Sequence, residues 1–246
     1  MVSACDVLAV GAHPDDVELG CGGVLARVAA AGRTVGVADL TAGEAGSRGD
    51  ASTRSGEAAA AAKALGVAWR VCLGLPDGGL SAGQDEQLEA VVTLVRACRP
   101  RVVLLPDDGD PHPDHAAAGV LAVRGAFLAG VSRWAPEAGA AHRPSALLSF
   151  AGPRQVLQPT LVVDVSAVYE AKRGALAAYR SQFDPDWTGP GDSAPQTHLS
   201  SPFFLAAIEG RDRAAGNLVG CETAEVLRAA QTLAADEVVW LLGNGC

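Results

Sequence analysis

Apolar residues in the first half of the chain gather in short continuous runs of strand length, and each run is followed by a longer Ala-rich stretch of helical period. The runs Asp6–Ala12, Thr34–Leu40, Trp69–Leu73 and Val102–Pro106 read as strands buried on both faces. Gly23–Ala31, Thr53–Leu65, Asp85–Cys98 and Pro113–Leu128 read as the helices between and after them. Gly32, Gly66 and Pro100 stand where helices should stop, and Ser52 or Thr53 and Ser81 stand where they should be capped. Strands alternating with helices predict an α/β fold: a Rossmann-like, mostly parallel sheet with helices on both faces. Beyond residue 130 the pattern predicts strands at Ala146–Phe150 and Thr160–Val165, and helices at Ala167–Arg180, Pro202–Asn217 and Ala224–Ala235. Asp184–Ser201, with Pro185, Pro190, Pro195, Gly189 and Gly191, is too irregular for a core element and is expected to form a lid. The whole, 1–246, is expected to be one domain, with a Rossmann-like core at 1–130 and a C-terminal part at 131–246 completing the fold and a pocket.

Two of the strands run straight into polar clusters. Val7–Gly11 leads into Ala12-His13-Pro14-Asp15-Asp16, and Val102–Pro106 leads towards His112-Pro113-Asp114-His115. In open α/β sheets, ligands bind at the carboxyl ends of the strands, so both clusters are expected at one edge. A catalytic zinc takes three protein ligands of the imidazole and carboxylate type and leaves a place for water. His13, Asp16 and His115 suit that set, although the same donors also accept iron, cobalt or manganese. Asp15, beside a ligand yet pointing elsewhere, suits a general base, and His112 an oxyanion partner whose tautomer or charge Asp114 would support. Taken alone, His-Pro-Asp-Asp also reads as a turn in which Pro14 fixes φ and an Asp caps the next helix. The two clusters together favour the metal site.

Gly11 and Gly20-Cys21-Gly22-Gly23 do not make a dinucleotide fingerprint, because His-Pro-Asp-Asp occupies the tight turn where the glycines would be needed. They are read instead as letting the backbone pass close under the metal loop and start the helix. The loop Glu44–Asp50, with Ser47 and Arg48, follows the second strand, and Arg54 and Glu57 share a face of the next helix. Arg54 reads either as an anion anchor or as an exposed arginine paired with Glu57 or Asp50. His142 and His198 are isolated in polar loops and are read as outside the site.

Composition narrows the partners. A net charge of -9 without a basic run opposes nucleic acid. No apolar run approaches the ~18 residues needed to span a bilayer, and the N-terminus lacks a signal-peptide pattern, so a membrane is not expected and a cytoplasmic location is. Cys5, Cys21, Cys72, Cys98, Cys221 and Cys246 have no paired spacing and read as small core residues, not as disulfides.

The motifs together resemble the LmbE-like, or PIG-L, family of zinc-dependent N-acetylglucosaminide deacetylases. The likeness rests on Ala12–Asp16, the Gly-rich stretch after it, Thr41-Ala42-Gly43-Glu44 with Gly46 and Arg48, Arg54 with Glu57, Leu75-Pro76-Asp77, and His112–His115. It implies zinc on His13, Asp16 and His115, Asp15 as general base, His112 with Asp114 at the oxyanion, and Arg54, Arg48, Ser47 and Glu57 around the substrate. Within the family the chain is most similar to the deacetylases of bacillithiol synthesis, which act on N-acetylglucosaminyl-malate. That similarity extends to Tyr179-Arg180-Ser181-Gln182-Phe183 and the Glu209–Glu225 stretch, and it implies that Arg54 contacts the malate. The likeness is looser at Cys221–Glu225, which lacks the aromatic residue usual before Ala-Glu, and at Asp110-Pro111, where relatives often carry arginine. A homo-oligomer, hexameric in relatives, is also implied. The expected function is therefore removal of acetyl from a small glucosamine conjugate. Other aglycones (inositol, antibiotic or chitobiose) and an idle metal- or sugar-binding protein on the same scaffold are the rival readings; a spare Asp15 speaks against the last.

Overall fold

The computed structural model describes residues 2–189 and 195–242. Its elements are β1 (Val7–Gly11), α1 (Asp16–Ala30), β2 (Val35–Asp39), α2 (Ala51–Leu65), β3 (Trp69–Cys72), α3 (Asp85–Cys98), β4 (Val102–Pro106), α4 (Pro113–Ala129), β5 (Ala146–Phe150), β6 (Leu161–Asp164), α5 (Tyr169–Ala178), α6 (Arg180–Phe183), α7 (Phe204–Asn217), β7 (Ala224–Ala229) and α8 (Ala235–Leu242). The strands form one seven-stranded sheet in the order β3-β2-β1-β4-β5-β7-β6. The first five are parallel, and β7 runs antiparallel between β5 and β6. Alternate residues of each central strand feed opposite layers, as their continuous apolar runs require. Val7 and Ala9 of β1 pack with α1, α2 and α5, whereas Leu8 and Val10 pack with α3 and α4.

The order of the strands decides where a ligand can enter. From β1 the chain winds outward through β2 to β3, then returns to the other side of β1 as β4. Connections therefore leave β1 and β4 in opposite directions and open a crevice between their carboxyl ends. His13 follows one of these strands and His112 the other.

Several elements depart from the sequence reading. Ala224–Ala229 is a strand, not the start of a helix, and the last helix begins only at Ala235. Its residues favour helix, but backbone pairing to both β5 and β6 overrides that local preference. Helix α1 begins at Asp16, well before Gly23, and runs through the glycines with a kink at Cys21 (φ -149°). Gly20 is needed there because a Cβ would enter the Phe150 ring. The groups the kink frees find side-chain partners: Lys172 Nζ donates to Leu19 O at 3.3 Å, and Glu225 accepts Gly23 N and Val24 N at 3.0 and 2.7 Å. The cap of α2 is Asp50, which accepts Thr53 N, and α3 begins after Gln84, so neither Ser52, Thr53 nor Ser81 caps a helix. The expected helix Ala167–Arg180 is divided at Tyr179. Cys5, Cys21 and Cys98 are core residues, but Cys72 is exposed and Cys221 only half-buried; Cys246 lies outside the described residues. Among the described residues no helix is long and apolar enough to cross a membrane.

Candidate metal centre

The loop after β1 is bent tightly by Pro14 and then by Asp15, whose φ of 111° lies in the left-handed region that side chains avoid. Asp15 holds the position before the first turn of α1 but makes no capping bond, so a simple helix-cap turn does not account for it. Its conformation is enforced from outside. The buried Arg54 guanidinium donates to Pro14 O and to Gly43 O (3.1 Å) and lies 3.5 Å from Asp15 Oδ2. Gly43, itself at φ 68°, leaves the space the guanidinium fills. Thr41 N and Oγ1 both donate to Ala12 O, tying the loop to the end of β2.

This bend turns the Asp16 carboxylate back over the loop, where Oδ2 accepts His13 N at 2.8 Å and lies 3.6 Å from His13 Nδ1. Asp16 Oδ1 lies 3.1 Å from His115 Nε2, which arrives from the first turn of α4. The ligand atoms of His13, Asp16 and His115 all lie within 4.8 Å of one another. Each imidazole has a carboxylate at its other nitrogen: His13 Nε2 is 3.0 Å from Asp77 Oδ1, and His115 Nδ1 is 3.2 Å from Asp110 Oδ2. Carboxylates behind both histidines orient the rings and raise their basicity, the arrangement that metal-bound imidazoles need. Two imidazoles, one carboxylate and adjoining open space fit a catalytic zinc or another divalent first-row metal. A second possible group, His13, Asp77 and Asp114, is already committed. Asp77 Oδ2 accepts Ala45 N, and Asp114 Oδ2 accepts Gly78 N at 2.6 Å.

The charge states follow from this crowding. Burial works to lower both imidazoles, but the Asp16 carboxylate outweighs it and holds His13 up to about 9 and His115 up to about 11, with help from Asp77 and Asp110 respectively. Burial works to raise Asp16, yet the two histidines keep it well below the usual carboxylate range. Burial pushes Asp15 up to about 7 against the pull of Arg54. His112 is lowered, by burial first and by the His115 and His13 imidazoles next.

The trio, with Asp15 and His112, lines a cavity of about 490 Å³ at the strand ends, a size that suits a small-molecule ligand. His112 and His115 rings stack at 4.3 Å. The expected link from the Asp114 carboxylate to His112 is replaced by a different one. The Asp114 backbone N–H donates to His112 Nδ1 at 3.2 Å, which leaves Nε2 as the protonated nitrogen of the neutral ring. The carboxylate itself receives Gly78 N and Leu80 N and lies 3.4 Å from His13.

The residues expected around the substrate divide. Ser47 is exposed on the cavity wall. Arg48 lines it too, but its guanidinium donates to Ser181 O, Pro195 O and Asp184 O, so it ties Asp184 and Pro195 to the loop after β2. Arg54 is neither an exposed arginine paired with Glu57 or Asp50 nor a free anion anchor: its bonds go to the metal loop. Glu57 lies away from the cavity and accepts Ser181 N and Oγ, both at 2.6 Å. Of the expected lid, 190–194 lie outside the described residues, while Thr197, His198 and Leu199 form part of the cavity wall. His198 thus lines the site, against the sequence reading. Asp77, Asp110, Gln182 and Arg154 also line the cavity; the sequence gives none of them a site role, although the first three fall in stretches compared with the family. Asp77 alone carries a local signal, a Pro-Asp-Gly turn following a strand at the same sheet edge.

The sequence profile of the PIG-L family, described as GlcNAc-PI de-N-acetylase, matches residues 8–126, which hold every metal-site residue described above. The 1D-myo-inositol 2-acetamido-2-deoxy-alpha-D-glucopyranoside deacetylase of Streptomyces avermitilis is 35% identical over 80% of this chain and 88% of its own. The chain belongs to the PIG-L family. The diacetylchitobiose deacetylase of Thermococcus kodakarensis is 31% identical over 73% of this chain and 71% of its own. Among solved structures, the conserved protein TT1542 of Thermus thermophilus superposes with a TM-score of 0.82, at 37% identity over 94% of this chain and 96% of that one. That match includes the second half of the sheet, beyond the reach of the family profile.

Proposed function

We propose that this PIG-L protein is a metal-dependent deacetylase that hydrolyses the N-acetyl group of an N-acetylglucosamine conjugate, releasing acetate and a free amine. The observation that carries the reading is Asp15: a carboxylate outside the ligand trio, held at a strained φ of 111° by an arginine and facing the same cavity. Holding a metal does not require it, whereas hydrolysing an amide requires a group that moves protons beside the metal. The two deacetylase relatives both carry names of enzymes acting on acetylated glucosamine, which sets the substrate class.

His13, Asp16 and His115 would hold the metal, zinc in this proposal, which when bound supplies a Lewis acid for the amide carbonyl and lowers the pKa of water. Asp15 takes the proton of the attacking water and returns it to the leaving amine nitrogen. Arg54 keeps Asp15 aimed at that position. His112 donates from Nε2 to the oxygen on which negative charge develops, and the Asp114 amide holds its ring for that task. Three conjugates have support: malate, from the sequence resemblance, inositol, from the Streptomyces relative, and chitobiose, from the Thermococcus relative. Acetate release by the purified, zinc-loaded protein from N-acetylglucosamine and from its malate, inositol and chitobiose conjugates tests the reading. Release from at least one conjugate is expected; zinc binding without release from any would make the protein an idle relative.

A further inference from the structure

Three arginines line the cavity, and two of them are already bonded to groups of the protein. Arg48 is bonded to three carbonyls and Arg54 to two and to Asp15. Arg154 is exposed and makes no hydrogen bond or ion pair among the described residues. An exposed arginine is ordinary on a surface, but this one stands on a built turn. Gln155 N donates to Gly152 O at 3.2 Å, Gln155 Oε1 accepts Gly152 N, and Gln155 Nε2 donates to Asp107 Oδ1 at 2.8 Å. Arg211 binds Gly152 O from the other side. The turn is seated against the metal centre, since Gly152 leaves no room for a side chain beside Asp110 Oδ2, the carboxylate behind His115. Arg154 is thus a positive charge carried by an anchored turn, lining the same cavity as five aspartates, Asp15, Asp16, Asp77, Asp110 and Asp114.

We propose that Arg154 determines specificity by binding a negatively charged group, a carboxylate or a phosphate, on the aglycone of the substrate. The inference rests on the deacetylase reading above and adds to it the charge of the part of the substrate that does not react. A chain at net -9 with an aspartate-lined pocket repels anions at a distance, so an anionic conjugate needs a local cation near the mouth. A guanidinium offers a planar fork that matches carboxylate and phosphate oxygens two at a time. The reacting acetamide is served by the residues around the metal, so Arg154 touches the other end of the ligand.

The test uses matched pairs of substrates that differ only in charge: N-acetylglucosaminyl-malate against its dimethyl ester, and N-acetylglucosaminyl-inositol phosphate against the unphosphorylated glycoside. The ratio of kcat/KM within each pair is compared in the wild type, Arg154→Ala and Arg154→Lys. In Arg154→Ala the charged-to-neutral ratio should fall at least about tenfold, with Arg154→Lys between. The pair that shows the fall identifies carboxylate or phosphate as the group read. Unchanged ratios in both pairs, while acetate is still released, would overturn the role of Arg154 and leave the deacetylase standing. No acetate from any of the four by the zinc-loaded wild type would overturn this inference, and no release from the chitobiose conjugate either would overturn the deacetylase reading with it.

Discussion

Two clusters of charge lie inside this molecule within a few turns of helix α1, and they are built to opposite rules. Behind the kink, Lys172 is fully buried with Nζ 2.6 Å from both Asp212 Oδ2 and Glu225 Oε1, and Arg211 Nε is 3.1 Å from Asp212 Oδ1. Two cations meet two carboxylates, Tyr169 and two backbone N–H groups satisfy what remains, and none of the four charged residues lines the metal-site cavity. At the front, five aspartates stand with His13, His112, His115 and Arg54, and the ligand atoms of His13, Asp16 and His115 lie within 4.8 Å of one another beside an open cavity. Closed neutrality is what a structural cluster needs, because each buried charge must be offset by a partner. Surplus negative charge that stays buried is tolerable only where a cation comes to it. The difference between the two clusters separates scaffold from site.

Breaking the closed cluster should cost the most. Lys172→Met leaves Asp212 and Glu225 buried without their cation and uncaps the α1 kink, so unfolding in denaturant should show a loss of about 3–5 kcal/mol. A loss within error would mean that the cluster is not closed in the way described. The open cluster should respond in activity instead. Asp15→Asn should fold and hold zinc as the wild type does while acetate release falls by at least ~100-fold, the usual contribution of a general acid/base. Near-normal turnover by the zinc-loaded variant would remove Asp15 from the reaction. His112→Ala should lower kcat by about 100-fold with little change in KM, as loss of an oxyanion donor does. A change confined to KM would make His112 a substrate contact. The smallest effect is expected behind the metal: Asp77→Asn should weaken zinc binding by roughly 10–100-fold, measured by competition with a chelator. Unaltered affinity would show that Asp77 does not support the His13 ring.

What can be read from the amino acids follows the same division. β1, β2, β4 and their helices are legible because each strand is buried on both faces and each is followed by a helix before the next strand. The metal trio is legible because its members sit in two short motifs immediately after adjacent strands. β7 is not, since Ala-Glu-Val-Leu-Arg-Ala favours helix locally and becomes a strand only through pairing with β5 and β6. Glu225 looks like a surface residue until its partners, about 200 positions earlier in the chain, are in place. The task of Arg54 is hidden for a related reason: two of its partners are the backbone carbonyls of Pro14 and Gly43, which leave no mark in the pattern of side chains. Arg154 and His198 reach the cavity only through the folding of loops, which no periodicity reports.

On the proposed function, the open cluster works as a single-metal catalytic centre. Stripping the protein of metal and returning zinc in steps, with acetate release followed at each step, tests it most directly. No release is expected from the stripped protein, then a linear rise to one equivalent and a plateau beyond it. Full activity without metal, or activity that continues to climb to a second equivalent, as filling of the His13, Asp77 and Asp114 group would produce, would contradict it.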